Sequence, residues 1–500
     1  MIRELNFAER RGLWNWIHES VGNPTIRRQF ILPSDVSSLR QAEELIWSVA
    51  TDTPALRSTL LWLPSGRPVI SVGPRPTVKI VADPDPGTDR LDPLRRSAVF
   101  RLSKEESRAG IEVELTIGHL FADAGGADAL VRQLESATSK PPQAEVSRSD
   151  VAVDEERAAR NQNFWLGWLS GCRAPAAPYC GVDRTAGHAT TISVPLPPSV
   201  AVQVKELAGG ARVTPATVWT AAVALMAQER CAGHESVVCR LTCANRYTDA
   251  DASAVDYRAQ PIFLPLSLPM DQSSAHALRQ VYRASLQAHA HGWYDALHLV
   301  EQLNRPSRGA WFLPTVELNV LQGTRGSQVV GSTVNPYSFN PSSAKADLLV
   351  GVDDRTVSVT LRGAETAALA SELLERVMEW PRLLACGDAR PLAELACQHG
   401  PPDVSRLREG GVSVDRAAMR ALLHGALGSE ERYDVQVDPA GHVVVDSSRA
   451  LTSDDALRLW CRQALVPHSV LPDCWITDGL EAAPRKLAQD CLKPETGHCF

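Results

Sequence analysis

Two side chains that can handle a proton stand four residues apart in the segment Glu112–Glu135. The sequence there reads EVELTIGHLFADAGGADALVRQLE and contains His119 and Asp123. A histidine titrates near neutral pH, so it can act as a general base or position a nucleophile. The carboxylate of Asp123 can orient the imidazole as in a triad, or turn away and fix the loop. The pair is a candidate acid–base site, and an inert core histidine is the alternative.

A strand and a helix must position these two side chains. Glu112–Ile117 alternates polar and apolar residues, which predicts a half-buried strand that ends just before His119. Ala127–Glu135 has apolar residues at helical spacing, which predicts a helix. Ala124, Gly125 and Gly126 stand where that helix begins. Their backbone N–H groups could therefore face a developing oxyanion.

Composition and charge narrow the class of protein. The 500 residues indicate about three domains, and the net charge of −7 without a dense Lys/Arg tract argues against nucleic acid as a partner. We find no apolar run of membrane-spanning length and no secretory signal, so we expect a cytoplasmic protein without membrane partners. The 11 cysteines include no paired C-x-x-C set, which favours buried thiols over zinc and predicts no metal site.

Several motifs follow one another in order along residues 1–395. Besides the His119 loop, they are NFAERRGLW (Asn6–Trp14), TPALRSTLLW (Thr53–Trp62), NFWLGWLSG (163–171), Asn245-Arg246 and AKADL (Ala344–Leu348). Together they resemble the motifs of condensation domains of nonribosomal peptide synthetases, in the chloramphenicol-acetyltransferase-like superfamily. The His119 loop resembles the His-His-x-x-x-Asp-Gly motif, with Gly118 at the first His and Ala124 at the Gly.

The resemblance implies an α/β fold with two chloramphenicol-acetyltransferase-like lobes. These lobes would form a V-shaped pseudo-dimer with a central tunnel, followed by a small α+β C-terminal subdomain. We expect an N-terminal lobe over residues 1–160, with a polar linker from about 136 to 160. A second lobe should cover residues 161–396, and the last subdomain residues 403–500.

The resemblance also implies a reaction. An acyl or aminoacyl thioester on a carrier protein would be transferred to an amine or hydroxyl, forming an amide or ester in nonribosomal peptide biosynthesis. No bound cofactor is implied, because the phosphopantetheine arm belongs to a carrier protein acting in trans. A free small molecule is an alternative acceptor.

The resemblance assigns roles to particular residues. His119 would be catalytic, while Asp123 would pair with an arginine, with Arg246 as the first choice and Arg57 the second. Gly125 belongs to the motif. Asn319, in TVELNV, is a weaker candidate for the substrate pocket, and a polar residue on an edge strand is the alternative.

Departures from the family pattern keep two other functions open. Gly118 and Ala124 leave room for a non-catalytic scaffold that recruits carrier proteins or tailoring enzymes, although His119 and Asp123 are both retained. An acyltransferase that uses acyl-coenzyme A is the third interpretation. Gly12 looks like an extra residue in the first motif, and the segment that begins at Gln260 differs from the usual one before Leu-Pro-Leu.

The last hundred residues or so have a different pattern. The sequence predicts helices over Arg416–Leu427 and Thr452–Leu465, and strands over Tyr433–Val437 and His442–Asp446. This segment resembles the C-terminal subdomain of adenylate-forming enzymes, with Lys486 where their catalytic lysine would be. The large adenylation core has no counterpart, so we expect a remnant kept for packing or docking.

Overall fold

A computed structural model describes most of the first four hundred residues and parts of the last hundred. The described residues are 1–18, 25–82, 91–104, 110–136, 155–170, 172, 189–230, 237–303, 314–321, 348–362, 367–386, 391–392, 406–409, 412–427, 433–437, 443–448, 450–453, 455–456, 458–459, 474–477 and 480–484. None of the helices in these ranges is long and apolar enough to cross a membrane.

The first lobe is built on a four-stranded sheet. Its elements, with those of a small neighbouring sheet, are β1 (Ile2–Glu4), α1 (Phe7–His18), β2 (Thr25–Ile31), α2 (Leu39–Asp52), a 3-10 turn (Pro54–Arg57), β3 (Ser58–Trp62), β4 (Pro68–Val72), β5 (Val78–Ala82), β6 (Ala98–Ser103), β7 (Glu112–Gly118) and α3 (Ala124–Ser136). The main sheet has the order β2-β7-β6-β5, and β1-β4-β3 form the small one. Strand β7 confirms the predicted strand, and α3 confirms the predicted helix.

Alternation along β7 creates the core of this lobe. Val113, Leu115 and Ile117 are fully buried, and they belong to one apolar cluster with Ile46 of α2 and Leu130 of α3. The sheet therefore buries one face under the two helices, as its period-two pattern requires.

The second lobe is built on a six-stranded mixed sheet. Its elements are α4 (Glu155–Leu169), β8 (Ala189–Pro195), α5 (Pro198–Ala211), α6 (Pro215–Arg230), β9 (Val237–Cys243), α7 (Asp249–Ser253), β10 (Gln260–Leu266), α8 (Ser274–Ala290), α9 (Ala296–Leu303), β11 (Val316–Leu321), β12 (Leu348–Asp353), β13 (Thr356–Arg362) and α10 (Ala367–Cys386). The strand order is β10-β9-β11-β12-β13-β8. Every residue from Val218 to Ala227 of α6 is buried, so this helix is the centre of the core.

Two local predictions for this lobe are wrong. Helix α4 begins at Glu155, so residues 155–160 are helical and do not belong to a linker. Its buried face includes Ala158, Trp165 and Leu169, at the spacing of an amphipathic helix. Asn319 is not on an edge strand, because β11 lies between β9 and β12.

The described part of the C-terminal segment forms a small α+β unit. Its elements are β14 (Arg406–Glu409), β15 (Val412–Asp415), α11 (Arg416–Leu427), β16 (Tyr433–Val437), β17 (Val443–Ser447), β18 (Cys474–Thr477) and β19 (Leu480–Ala482). Helix α11 and strand β16 have the predicted bounds, and β17 is shifted by one residue. Leu422, Leu423, Val445, Leu459 and Trp475 share a separate apolar cluster. Lys486 lies outside the described residues, and the likeness to an adenylation subdomain stays a prediction.

Candidate active site

His119 follows the last residue of β7, a strand held on both sides. Gly118 pairs with Thr25 of β2, and Ile117 pairs with both Ile26 of β2 and Ala98 of β6. Because two ladders fix the end of β7, the backbone that carries the imidazole has little freedom. The side chain of His119 is half-buried, and its ring centroid lies 4.7 Å from that of Tyr257, with the planes tilted by 55°.

Asp123 is committed to four hydrogen bonds and is only 2% exposed. Its Oδ1 accepts from the N–H of Gly126 at 2.8 Å and from Nη2 of Arg246 at 2.9 Å. Its Oδ2 accepts from the N–H groups of Arg258 and Ala259 at 2.9 and 2.8 Å. Four bonds use the accepting capacity of a carboxylate, so Asp123 does not orient an imidazole as a triad member would.

Arg246 is the arginine that lies against Asp123. Its Nη1 also donates to the carbonyls of Asp251 and Ala254, at 2.6 and 2.8 Å. A Cβ on Gly125 would stand 2.7 Å from Nε of Arg246, so glycine at this position leaves room for the guanidinium. Arg57 lies elsewhere, and its Nη1 donates to the carbonyl of Gly73 at 3.2 Å.

A buried ionic network continues from this pair. Arg246 Nη2 donates to Asp256 Oδ1 at 3.1 Å, and Arg258 Nε donates to Asp256 Oδ2 at 2.7 Å. Arg258 also pairs with Asp251. Burial raises the pKa of Asp256, and the neighbouring arginines oppose that rise. The network holds the segment 256–259 against the loop that carries His119.

The predicted oxyanion role is wrong for Gly126 and stays a prediction for Ala124 and Gly125. Asp123 is the N-cap of α3: its carbonyl accepts from Ala127 N–H at 2.9 Å, and its side chain accepts from Gly126 N–H. The N–H of Gly126 is therefore used inside the protein and cannot face an oxyanion. A Cβ on Gly126 would stand 2.6 Å from the carbonyl oxygen of Asp256, so close packing explains this glycine.

Gly118 stands where the resembling motif has its first histidine. A Cβ there would lie 3.2 Å from Cδ2 of Phe121 and 3.5 Å from a methyl group of Leu91. The space beside Gly118 is thus taken by the ring of Phe121, which is 3% exposed. A Cβ at position 118 would therefore need that ring to move by a few tenths of an ångström.

Sequence reasoning missed Tyr257, whose ring packs against His119, and the residues Arg11 and Gly12 that contact this tyrosine. Tyr257 is 2% exposed, and its hydroxyl accepts a hydrogen bond from Nη2 of Arg11 at 3.0 Å. Gly12 faces the tyrosine ring, because a Cβ there would stand 2.6 Å from Cε1. The one signal in the sequence was Gly12, an unexpected glycine within the first motif.

Helix α1 is anchored at its start, which fixes Arg11 and Gly12. The Oδ1 of Asn6 accepts from the N–H of Glu9 at 2.9 Å, and Glu9 Oε2 accepts from the N–H of Asn6 at 2.8 Å. This reciprocal capping box explains why the helix begins at Phe7. The buried Glu9 also pairs with Arg3.

The remaining candidates are not part of this cluster as described. Asn319 is exposed on β11, and its pocket role stays a prediction. Among the described cysteines, Cys239 and Cys243 are buried free thiols, and burial raises the pKa of Cys239 to about 12. Such a thiol is protonated and a poor nucleophile or ligand. Within the described ranges, no group of three or more His, Cys, Asp or Glu residues could hold a metal ion.

The fold can be compared with solved structures, whereas no protein-family model and no curated protein sequence matches the chain. The first condensation domain of the calcium-dependent antibiotic synthetase, with a bound substrate analogue, aligns at 17% identity and a TM-score of 0.58. The alignment covers 79% of this chain and 99% of that domain.

Two further condensation domains align in the same way. The one from the Monacolin K polyketide synthase MokA aligns at 13% identity and a TM-score of 0.63, over 79% of this chain and 99% of that one. A mutant starter condensation domain of rhizomide synthetase in complex with C8-CoA aligns at 16% identity and a TM-score of 0.58, over 79% and 97%. About four-fifths of this chain therefore has the fold of a condensation domain.

Proposed function

We propose that the protein is a condensation-type acyltransferase in which His119 accepts the proton of the nucleophile or orients the nucleophile. The observation that carries the proposal is the difference between the two motif residues, Asp123 and His119, in what their side chains contact. Asp123 is consumed by four hydrogen bonds within the protein, while His119 stands at the rigid end of β7. The condensation-domain fold supports the same reaction class.

The chemistry needs only positioning and one proton transfer. The nitrogen of an amine, or the oxygen of an alcohol, attacks the carbonyl carbon of a thioester, and the C–S bond then breaks. The nucleophile loses a proton and the leaving thiolate gains one. A neutral imidazole can accept the proton, or orient the nucleophile and stabilise the charge that develops on it. A thioester is already activated, so no covalent enzyme intermediate is required.

The donor in this proposal is an acyl or aminoacyl thioester carried by the phosphopantetheine arm of a separate carrier protein. The arm supplies the thiol, and the protein positions the thioester and the nucleophile, so the proposed reaction needs no cofactor bound to the protein itself. The acceptor is an amine or hydroxyl on a second carrier or on a small molecule. Acyl-coenzyme A carries the same thioester and arm, which makes it the natural competitor as donor.

One observation favours a second function. The ring of Phe121 occupies the space beside Gly118, where the resembling motif has its first histidine. A scaffold that only recruits carrier proteins would tolerate this change. The requirement for the imidazole of His119 distinguishes the two functions, since only the enzyme needs it.

The decisive experiment compares the parent with His119→Ala in single-turnover acyl transfer. The probes are an octanoyl thioester on a carrier protein and octanoyl-coenzyme A, each offered with a panel of amines and alcohols. We expect transfer by the parent and a rate about 10²–10⁴-fold lower for the variant, since that is what a general base contributes. His298→Ala, at an exposed histidine of α9, is the matched control. Equal measurable rates for parent and His119→Ala would contradict the catalytic role of His119, and no transfer by the parent from either donor would favour the scaffold.

A further inference from the structure

The backbone at Tyr257 and just after it is held by hydrogen bonds to Asp123 and Asn6. Asp123 accepts hydrogen bonds from the N–H groups of the next two residues, at 2.9 and 2.8 Å. The Nδ2 of Asn6 donates to the carbonyl of Tyr257 itself at 3.2 Å. The tyrosine backbone is thus fixed between the His119 loop and the start of α1.

The ring of Tyr257 has contacts on its edges as well. It is 2% exposed, and its centroid lies 4.7 Å from that of His119. At the side facing α1, only the missing Cβ of Gly12 makes room for Cε1. At the far end, Arg11 Nη2 donates to the hydroxyl at 3.0 Å. The ring therefore cannot turn or slide without breaking one of these contacts.

We propose that Tyr257 is the positioning residue for His119, an inference that rests on the proposed acyltransferase function. An imidazole on a fixed backbone can still rotate about its two side-chain bonds. The tyrosine ring removes that freedom on the side where it packs against the imidazole and so narrows the range of orientations. Orientation matters greatly for rate, because a misplacement of about 1 Å can cost about 10²-fold.

A purely core-filling role for Tyr257 is the competing explanation. Tyr257 does pack with Ala8 and Ala259 in a small buried cluster. A core-filling residue would change stability when it is replaced, and it would leave the reactivity of His119 alone. A positioning residue would change the behaviour of His119 even in a variant that is fully folded.

Four variants separate the two roles. Tyr257→Phe keeps the ring and loses the bond to Arg11, whereas Tyr257→Leu loses the ring. Gly12→Ala pushes on the ring from α1, and the double variant Gly12→Ala/Tyr257→Leu removes the atom that the new methyl group would strike. Tyr294→Leu is the matched control, because this tyrosine is also buried but has its ring against Trp165.

Two measurements are made on each variant, after circular dichroism has shown it folded. The first is the rate of carbethoxylation of His119 by diethyl pyrocarbonate, resolved by peptide mass spectrometry, which needs no substrate. The second is kcat and KM for transfer from the octanoyl thioester. We expect faster carbethoxylation in Tyr257→Leu, and a kcat about 10–10²-fold lower with KM unchanged.

The other variants sharpen the expectation. Tyr257→Phe should stay near the parent in both measurements. Gly12→Ala should lower kcat when it is made alone. In the double variant it should add nothing to the effect of Tyr257→Leu, because changes at residues in contact are not additive. Tyr294→Leu should lose stability and leave His119 reactivity unchanged.

A folded Tyr257→Leu protein with parental carbethoxylation of His119 would overturn the inference. Failure of the proposed function has a different signature: His119→Ala would keep the parental rate of transfer, or the parent would transfer nothing. The carbethoxylation measurement still decides the role of Tyr257 in either case, since it reports on the imidazole directly.

Discussion

At the scale of single residues, the two members of the His-x-x-x-Asp pair have different roles: Asp123 is structural, and His119 is the residue proposed for the chemistry. Asp123 binds two backbone amides of the segment 256–259, one amide of α3 and the guanidinium of Arg246. A carboxylate in this position acts on His119 only indirectly, by fixing the loop that carries it. The proton chemistry is left to the imidazole.

Replacing Asp123 by alanine should therefore damage the fold first. The change removes one of the two carboxylates that pair with the buried Arg246 and also takes the acceptor from three backbone N–H groups. Breaking one side of a buried pair typically costs about 3–5 kcal/mol. We expect a free energy of unfolding lower by about that amount, measured by chemical denaturation, together with a lower soluble yield.

The exposed pair of Arg40 and Glu44 provides the control. Glu44→Ala should cost no more than about 1 kcal/mol, since exposed ion pairs contribute little. A stable, folded Asp123→Ala protein without activity would contradict our assignment and restore a triad-like role for Asp123.

The pairing of Asp123 with Arg246 was predicted from the resemblance to condensation domains, which implies an arginine partner for this aspartate. Sequence reasoning could not reach Tyr257, because a lone tyrosine 138 residues after His119 carries no spacing signal. The prediction that the N–H groups of Ala124, Gly125 and Gly126 could face an oxyanion was wrong for Gly126, for a physical reason. The same N–H group that a helix start leaves unpaired is also the natural partner of an N-cap side chain, and Asp123 takes it.

At the scale of elements, the helix α4 connects to the end of α8 through one histidine. His291 stacks on Phe164 with ring centroids 3.8 Å apart and planes tilted by 13°. Its Nδ1 donates to Oδ1 of Asn161 at 2.8 Å, and its carbonyl accepts from Nε1 of Trp165 at 2.9 Å. Burial lowers the pKa of His291, and the charge of Arg157 lowers it further.

This shift predicts a pH dependence of stability. The folded protein binds a proton at His291 less readily than the unfolded chain, in which the pKa of this histidine lies near 6.5. The contribution of His291 is therefore intact above that pH and is lost as the pH falls below it. We expect the drop in the free energy of unfolding between about pH 7.5 and about pH 5.5 to be smaller in His291→Gln than in the parent.

His298→Gln serves as the reference for this measurement, because His298 is 47% exposed and its ring lies beside Glu301. Its pH profile should follow that of the parent. If His291→Gln kept the full parental dependence on pH, other groups would be responsible for it.

Long elements with clear periodicity were predictable, and their junctions were less so. Strand β7 and helices α3 and α11 follow from alternation or helical spacing. The start of α4 did not, because EERAAR is charged and looks solvated, although the buried positions Ala158, Trp165 and Leu169 keep a helical period. Asn319 was misplaced at an edge since strand order depends on pairing across the whole lobe.

At the scale of the whole molecule, the described residues form two large apolar cores and several smaller ones, one of which lies in the C-terminal unit. The apolar clusters of the two lobes contain the sheets on which the His119 loop and the segment 256–259 depend. The C-terminal cluster around Trp475 is separate from both. This separation indicates that the C-terminal unit contributes little to the geometry around His119.

The variant Trp475→Ala tests that separation in the full-length protein. Truncating a buried tryptophan costs about 3–5 kcal/mol, which is large for a core of this size. We expect hydrogen exchange to accelerate in β16 and β17, while β9 and β10 keep their protection and acyl transfer is unchanged. Lys486→Ala should also leave transfer unchanged. A large fall in the transfer rate in either variant would show that the C-terminal segment takes part in the reaction.

The hydrogen bonds of Asp123 also constrain the order in which the chain can fold. Its partners Arg246, Arg258 and Ala259 lie 123, 135 and 136 residues further along the sequence. During synthesis the first lobe emerges well before these partners exist. Until then the carboxylate of Asp123 must stay hydrated, and the loop that carries His119 cannot adopt its final conformation. Such distant closure is slow and exposes apolar surface in the meantime. The two lobes therefore depend on each other to fold. We expect the first lobe to aggregate when it is expressed alone, unless the second lobe is co-expressed with it.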